Sequence, residues 1–135
     1  MGVYVIDALD VIARDEFGYD NFDELLSNFL ETNDDDFGED IVAVIIQAVE
    51  GDLGRSFLWE TDIEWDEIAA CPVLRVIVVD PETGKCLTVN EERTQMFVTC
   101  PLRSTDDVVT FVEYLRCRCA DLMKEVGDDV TSDPN

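Results

Sequence analysis

The 135 residues suit one domain of ordinary size, and 47% hydrophobic with 9% aromatic composition is too apolar for an intrinsically disordered chain despite 30% charged residues. Thirty-two Asp and Glu against nine Lys and Arg give a net charge of −23, far beyond what solubility requires and a source of self-repulsion in the compact state. No run of eighteen apolar residues suggests a membrane span and no leader pattern opens the chain, while five cysteines favour reduced thiols over a disulfide framework, so a cytoplasmic protein is expected.

The charge is uneven. Residues 1–68 hold twenty Asp and Glu against Arg14 and Arg55, a balance of −18, whereas residues 69–135 hold twelve against seven, a balance of −5. Acidity from adaptation to high salt would cover the whole surface, and this pattern does not.

Val5, Ala8, Leu9, Ile12 and Ala13 recur at helical spacing and predict a helix over 4–17, stopped at Gly18. Asn21 with Glu24 has N-cap spacing before the stripe Phe22, Leu25, Leu26, Phe29 and Leu30 of a second helix. Residues 31–40 carry six acids in ten positions without apolar period and read as an exposed connection. Asp36 and Glu39 then have capping-box spacing ahead of a third helix over 41–49, with Gly51 as its stop; a buried strand is the alternative for this β-branched run.

Thr61 and Glu64 repeat that spacing and predict a short helix over 62–70, ended by Pro72. The β part is expected as strands over 73–79, 85–89 and 95–100, joined by turns at 80–84 and 90–94. Ser104 and Asp107 cap a long last helix with an apolar face from Val108 to Val126, ended by Gly127. The expected fold is α+β: acidic N-terminal helices, a three-stranded antiparallel β-meander and a C-terminal helix packed on it. A single domain covers 1–127, its acidic mainly helical half at 1–68 and its meander and helix at 69–127, with 128–135 as a flexible acidic tail.

Histidine is absent, which removes the usual general base near neutral pH, the commonest metal ligand and every Ser-His or Cys-His pair. No phosphate-binding glycine motif occurs. Cys117 and Cys119 form a C-x-C inside the last helix, where their side chains diverge by roughly 200° and cannot share a metal. Asn33, Asp35 and Gly38 match an EF-hand loop in part, but Phe37 and Val44 fall where oxygen ligands belong. No enzyme, metal or cofactor is expected, although clustered carboxylates attract hard cations loosely.

What remains is the charge. Carboxylates three or four apart on a helix lie about 5–6 Å from each other and can imitate a phosphate backbone. The first candidate array is Asp15, Glu16, Asp20, Asp23, Glu24, Glu31, Asp34, Asp35, Asp36, Glu39 and Asp40, with Asp7 and Asp10 behind it; the second is Glu60, Asp62, Glu64, Asp66 and Glu67, interleaved with Trp59 and Trp65 as aromatic anchors. The plain alternatives are a solvated acidic face and core tryptophans. The expectation is a non-enzymatic inhibitor that mimics nucleic acid and blocks the basic groove of a nucleic-acid-binding defence complex, of the kind phages direct against restriction or CRISPR systems. It would bind neither nucleic acid nor membrane, and a homodimer stays open. The chief rival is a small acidic chaperone or immunity protein holding one basic client or toxin; the other is a metal- or ligand-binding enzyme.

Overall fold

A computed structural model describes residues 4–90, 92 and 94–132, with side-chain detail as far as Asp121. Three helices come first: α1 (Val5–Phe17), α2 (Phe22–Thr32) and α3 (Asp35–Leu53). Strands β1 (Leu58–Asp66), β2 (Cys71–Val79) and β3 (Val98–Pro101) follow, and α4 (Thr105–Ser132) ends the described chain. The architecture is α+β, with helices over a three-stranded antiparallel sheet of order β1-β2-β3.

The helix starts follow from side-chain oxygens that accept otherwise unpaired first-turn N–H groups. Asn21 accepts from Glu24 N–H at 2.8 Å, and the Glu24 carboxylate reaches back to the N–H of Asp20 rather than of Asn21. Asp34, not Asp36, caps α3, and Asp35 and Asp36 occupy its first turn, where the helix dipole favours negative charge. The acidic stretch expected as a connection is therefore helical except at Asn33 and Asp34; Asn33, at φ 54°, closes α2. The run over 41–49 is helix, and it passes through Gly51 to stop at Gly54, whose φ is 70°. Likewise α4 continues past Gly127 to Ser132.

One apolar core joins these elements. Leu9 and Ala13 of α1, Phe22, Leu25 and Leu26 of α2, and Ile41, Val44, Ile45 and Val49 of α3 meet the inner face of β2, Leu74, Val76 and Val78. Val108, Val112, Leu115 and Cys119 complete it from α4, which packs on β3 and against α1, α2 and α3. Along β2 the even-numbered side chains are buried and Val73, Arg75, Ile77 and Val79 only partly so: helices cover one face and leave the other open.

Two expected elements are different. Residues 62–70 form no helix: β1 runs to Asp66, and its half-buried Trp59, Thr61 and Ile63 alternate with exposed Glu60, Asp62 and Glu64. The turn 67–70 is held by Asp66, whose carboxylate accepts the N–H groups of Ile68 and Ala69. In a chain this acidic, three-residue spacing between a Thr and a Glu carries little information, and period two is the stronger signal.

Nor is 85–89 a strand. The turn after Asp80 brings Cys86 opposite Val79 in one isolated bridge, but Thr88 then takes the N–H of Val78 with its side-chain oxygen and donates to the carbonyl of Met96. The ladder breaks there. The third strand is the shorter Val98–Pro101, which pairs with Val73–Val76 lower on the same edge of β2. Among the described residues no helix is long and apolar enough to cross a membrane.

Candidate partner-binding surface

The two acidic arrays occupy different settings. At the α2–α3 corner, Glu31, Asp34, Asp35, Asp36 and Glu39 are exposed, and among the described residues none of them makes an ion pair. On β1, Glu60, Asp62 and Glu64 stand in a row on the open face of the sheet. Arg75, opposite Asp62 on β2, lies 3.6 Å from Asp62 and 3.2 Å from Glu64, and its guanidinium rests over the Phe97 ring at 5.1 Å. Thus one cation, itself partly exposed, answers two of the three carboxylates.

Other candidate acids are engaged in holding the fold. Asp40 accepts the Tyr19 hydroxyl at 2.9 Å; Asp23 accepts the Thr105 hydroxyl at 2.9 Å, joining the starts of α2 and α4; Glu24 and Asp66 serve the local turns described above. Asp15 pairs with its neighbour Arg14, and Glu16, Asp20 and Glu67 are exposed without joining either group. Trp59 is half-buried, with its indole N–H bonded to Glu50. Trp65 is different: it is 60% exposed.

The arrays meet at one place. A groove of about 790 Å³ runs between the start of α3 and strand β1, lined by Asp35 and Glu39 from the first array and by Asp62 and Trp65 from the second. Phe29, Val42, Ile63 and Pro72 form its apolar floor and walls. Gly38 permits the close approach of α3 to β1, since a Cβ there would lie 3.2 Å from Phe29 Cε1 and 3.3 Å from Ile63 Cδ1. Asp15, Glu16, Asp20, Asp23 and Glu24 do not line the groove. Asn33 and Gly38, which the sequence offers only as part of a failed EF-hand pattern, line the groove, as does Ile63, which is interleaved with the second array.

No family model, curated protein or solved structure matches the chain. The arrangement must therefore be read from its own chemistry.

The buried thiols of Cys100 and Cys119 offer little nucleophilic character. Burial pushes Cys100 up to about 12, with the nearby charge of Asp107 adding to it, and burial pushes Cys119 up to about 11. Both stay protonated near neutral pH, when the thiolate is the reactive form. Cys117 is exposed while Cys119 is buried, as their helical offset requires. Among the described residues no three Cys, Asp or Glu side chains converge as a metal site. A groove with Asp35 and Glu39 on its helix wall and the exposed indole of Trp65 on its strand wall suits a cationic ligand carrying apolar groups.

Proposed function

We propose that the protein is a non-enzymatic acidic inhibitor that acts in the cytoplasm, occupying the basic groove of a nucleic-acid-binding protein in place of DNA or RNA. The observation that carries this reading is the meeting of Asp35 and Glu39 with Asp62 and Trp65 at one groove, although the two pairs lie far apart in the chain. Alternate residues of a strand repeat about every 6.8 Å, close to the roughly 5–6 Å spacing of carboxylates on a helix, so the β1 row continues the same kind of charge array. Carboxylates without cation partners at the α2–α3 corner extend the negative surface beyond the groove. Restriction enzymes and guide-RNA nucleases of the kind phages must evade are targets of suitable charge.

The exposed indole of Trp65 also favours a second reading, a chaperone or immunity protein that anchors one basic client by an aromatic contact. One experiment separates them. The protein is titrated into complexes of fluorescent duplex DNA with purified restriction enzymes and guide-RNA nucleases at about 50 mM salt, then at higher salt. Displacement that weakens steeply with salt, and is lost when Glu31, Asp35, Asp36 and Glu39 are reversed to Lys, is expected. No displacement at tens of micromolar, or displacement indifferent to that reversal, overturns the mimicry reading; binding without displacement supports the client reading instead.

A further inference from the structure

Strand β1 is nine residues long and forms the outer edge of the sheet. The direction of its backbone groups follows from the hydrogen bonds of β2. The carbonyls of Val78 and Pro72 accept the N–H groups of Leu87 at 2.7 Å and Leu102 at 2.8 Å, so even-numbered residues of β2 turn their backbone groups toward β3. Backbone groups alternate along a strand, and the odd-numbered residues turn theirs toward β1. Those residues, Val73, Arg75 and Ile77, stand opposite Glu64, Asp62 and Glu60. The acidic residues of β1 thus bond to β2, and the N–H and C=O groups of Thr61, Ile63 and Trp65 point out over the edge. Among the described residues no further strand pairs there.

We propose that this edge receives an extended basic segment of a protein partner as a fourth strand. Side chains on one face of the added strand would meet Glu60, Asp62 and Glu64; those on the other would enter the groove beside Ile63, Trp65 and Asp35. A segment alternating Lys or Arg with an apolar residue satisfies both faces, while main-chain hydrogen bonds supply sequence-independent affinity. Charge selects this occupant over the obvious competitor: pairing with β1 of a second copy would set carboxylate rows side by side, and like charges across strands are destabilising. Charged side chains are also a usual guard against edge pairing, but a negative guard repels negative strands, leaves its carboxylates unpaired against neutral ones and keeps the edge open to a positive one. The inference takes the basic partner from the preceding reading and adds that the contact is a strand; proteins that read DNA through basic β-ribbons or extended arms carry such segments.

The test uses the full chain and a blocked nine-residue peptide alternating Lys and Val, matched in length to β1. Its control is the same peptide with its Val amides N-methylated, which keeps the charge and removes the donors that an antiparallel added strand turns toward β1 when its Lys side chains meet the acidic row. The unmethylated peptide should bind at least about tenfold more tightly, and at saturation it should slow amide exchange at Thr61, Ile63 and Trp65 about tenfold or more. Thr61→Pro, which removes an edge N–H but none from the β1–β2 ladder, should abolish that preference, whereas Thr61→Val should keep it. Equal binding of the two peptides with unchanged exchange overturns strand addition, yet leaves a salt-sensitive basic partner in place. Absence of binding at low salt also overturns it, and the DNA-displacement assay then judges the broader reading on its own. Protection of the same amides by self-association, seen as a dimer in sedimentation, overturns it in favour of a second copy.

Discussion

The indole N–H of Trp59 donates to Oε2 of Glu50 at 2.8 Å, and the same oxygen accepts the backbone N–H of Phe57 at 2.8 Å. Glu50 lies in the final turns of α3, where the helix dipole disfavours a carboxylate, and two donors compensate it while fastening the start of β1 to the helix. Glu50→Ala would leave both donors without that acceptor and should cost about 2–3 kcal/mol; Trp59→Phe should cost about 1 kcal/mol. The double variant should lose less than the sum, because the second change removes a group already orphaned by the first. Urea denaturation of the four proteins measures this, and additive losses would show that the contact is not shared.

Three positions, one at the groove, one in the β1–β2 turn and one near the end of α3, give opposite signs for one-methyl changes. Gly51 lies in an exposed stretch of α3 with nothing within 4 Å of a new Cβ, and Gly51→Ala should stabilise by about 1 kcal/mol. Ala70 holds φ at 57° in the β1–β2 turn, so Ala70→Gly should also stabilise by about 1 kcal/mol. Gly38→Ala has the same helix-propensity gain but meets Phe29 and Ile63, and should lose about 1 kcal/mol net. Adding Ile63→Val, which deletes the Cδ1 that crowds the site, should restore part of that loss in chemical denaturation.

Tyr19 gives an alkaline limb to the stability profile. Burial, then the hydrogen bond to Asp40 and the negative charge of Asp40, Glu24 and Asp36, push its phenol from 10.0 up to about 12. The unfolded chain releases that proton first. The contribution is therefore complete below about pH 10 and is lost as pH rises toward 12. Tyr19→Phe should flatten the decline in stability across that window, and Asp40→Asn should move the Tyr19 transition downward in tyrosinate absorbance. An unchanged slope in Tyr19→Phe would place the alkaline loss elsewhere.

Much of this was readable in the chain. The apolar stripe of α2, the Asn21 cap and the Gly18 stop specify their helix ends locally, and the β-branched run of β2 reads as a strand because its core face is continuous. β1 was not readable as a strand from capping-box spacing, since dense acids produce such spacing anywhere; its alternating pattern is decisive only once Arg75 and the helices lie on opposite faces. The segment 85–89 has strand composition, but the Thr88 hydroxyl takes a ladder bond, which composition does not encode. For the surface, the exposure of the acids follows from residue type. The meeting of Asp35 and Glu39 with Asp62 and Trp65 does not, because it depends on how closely Gly38 lets α3 approach the sheet.

Glu31 and Asp34 allow charge to be separated from stability. Glu31 is exposed in the last turn of α2, which has no basic residue, so its carboxylate faces the negative end of the helix dipole. Glu31→Lys should stabilise the fold by about 0.3–1 kcal/mol at low salt, with the gain shrinking as salt rises. Asp34 caps α3, its Oδ1 accepting the N–H of Asp36 at 2.9 Å, and Asp34→Ala should cost about 1 kcal/mol. Both changes reduce negative charge at the same corner, so both should weaken association with a basic partner and lower its salt dependence. If affinity falls in the stabilised variant as well as in the destabilised one, charge is what the partner reads. If only Asp34→Ala loses affinity, the partner requires the ordered start of α3 and the acidity of the corner is incidental.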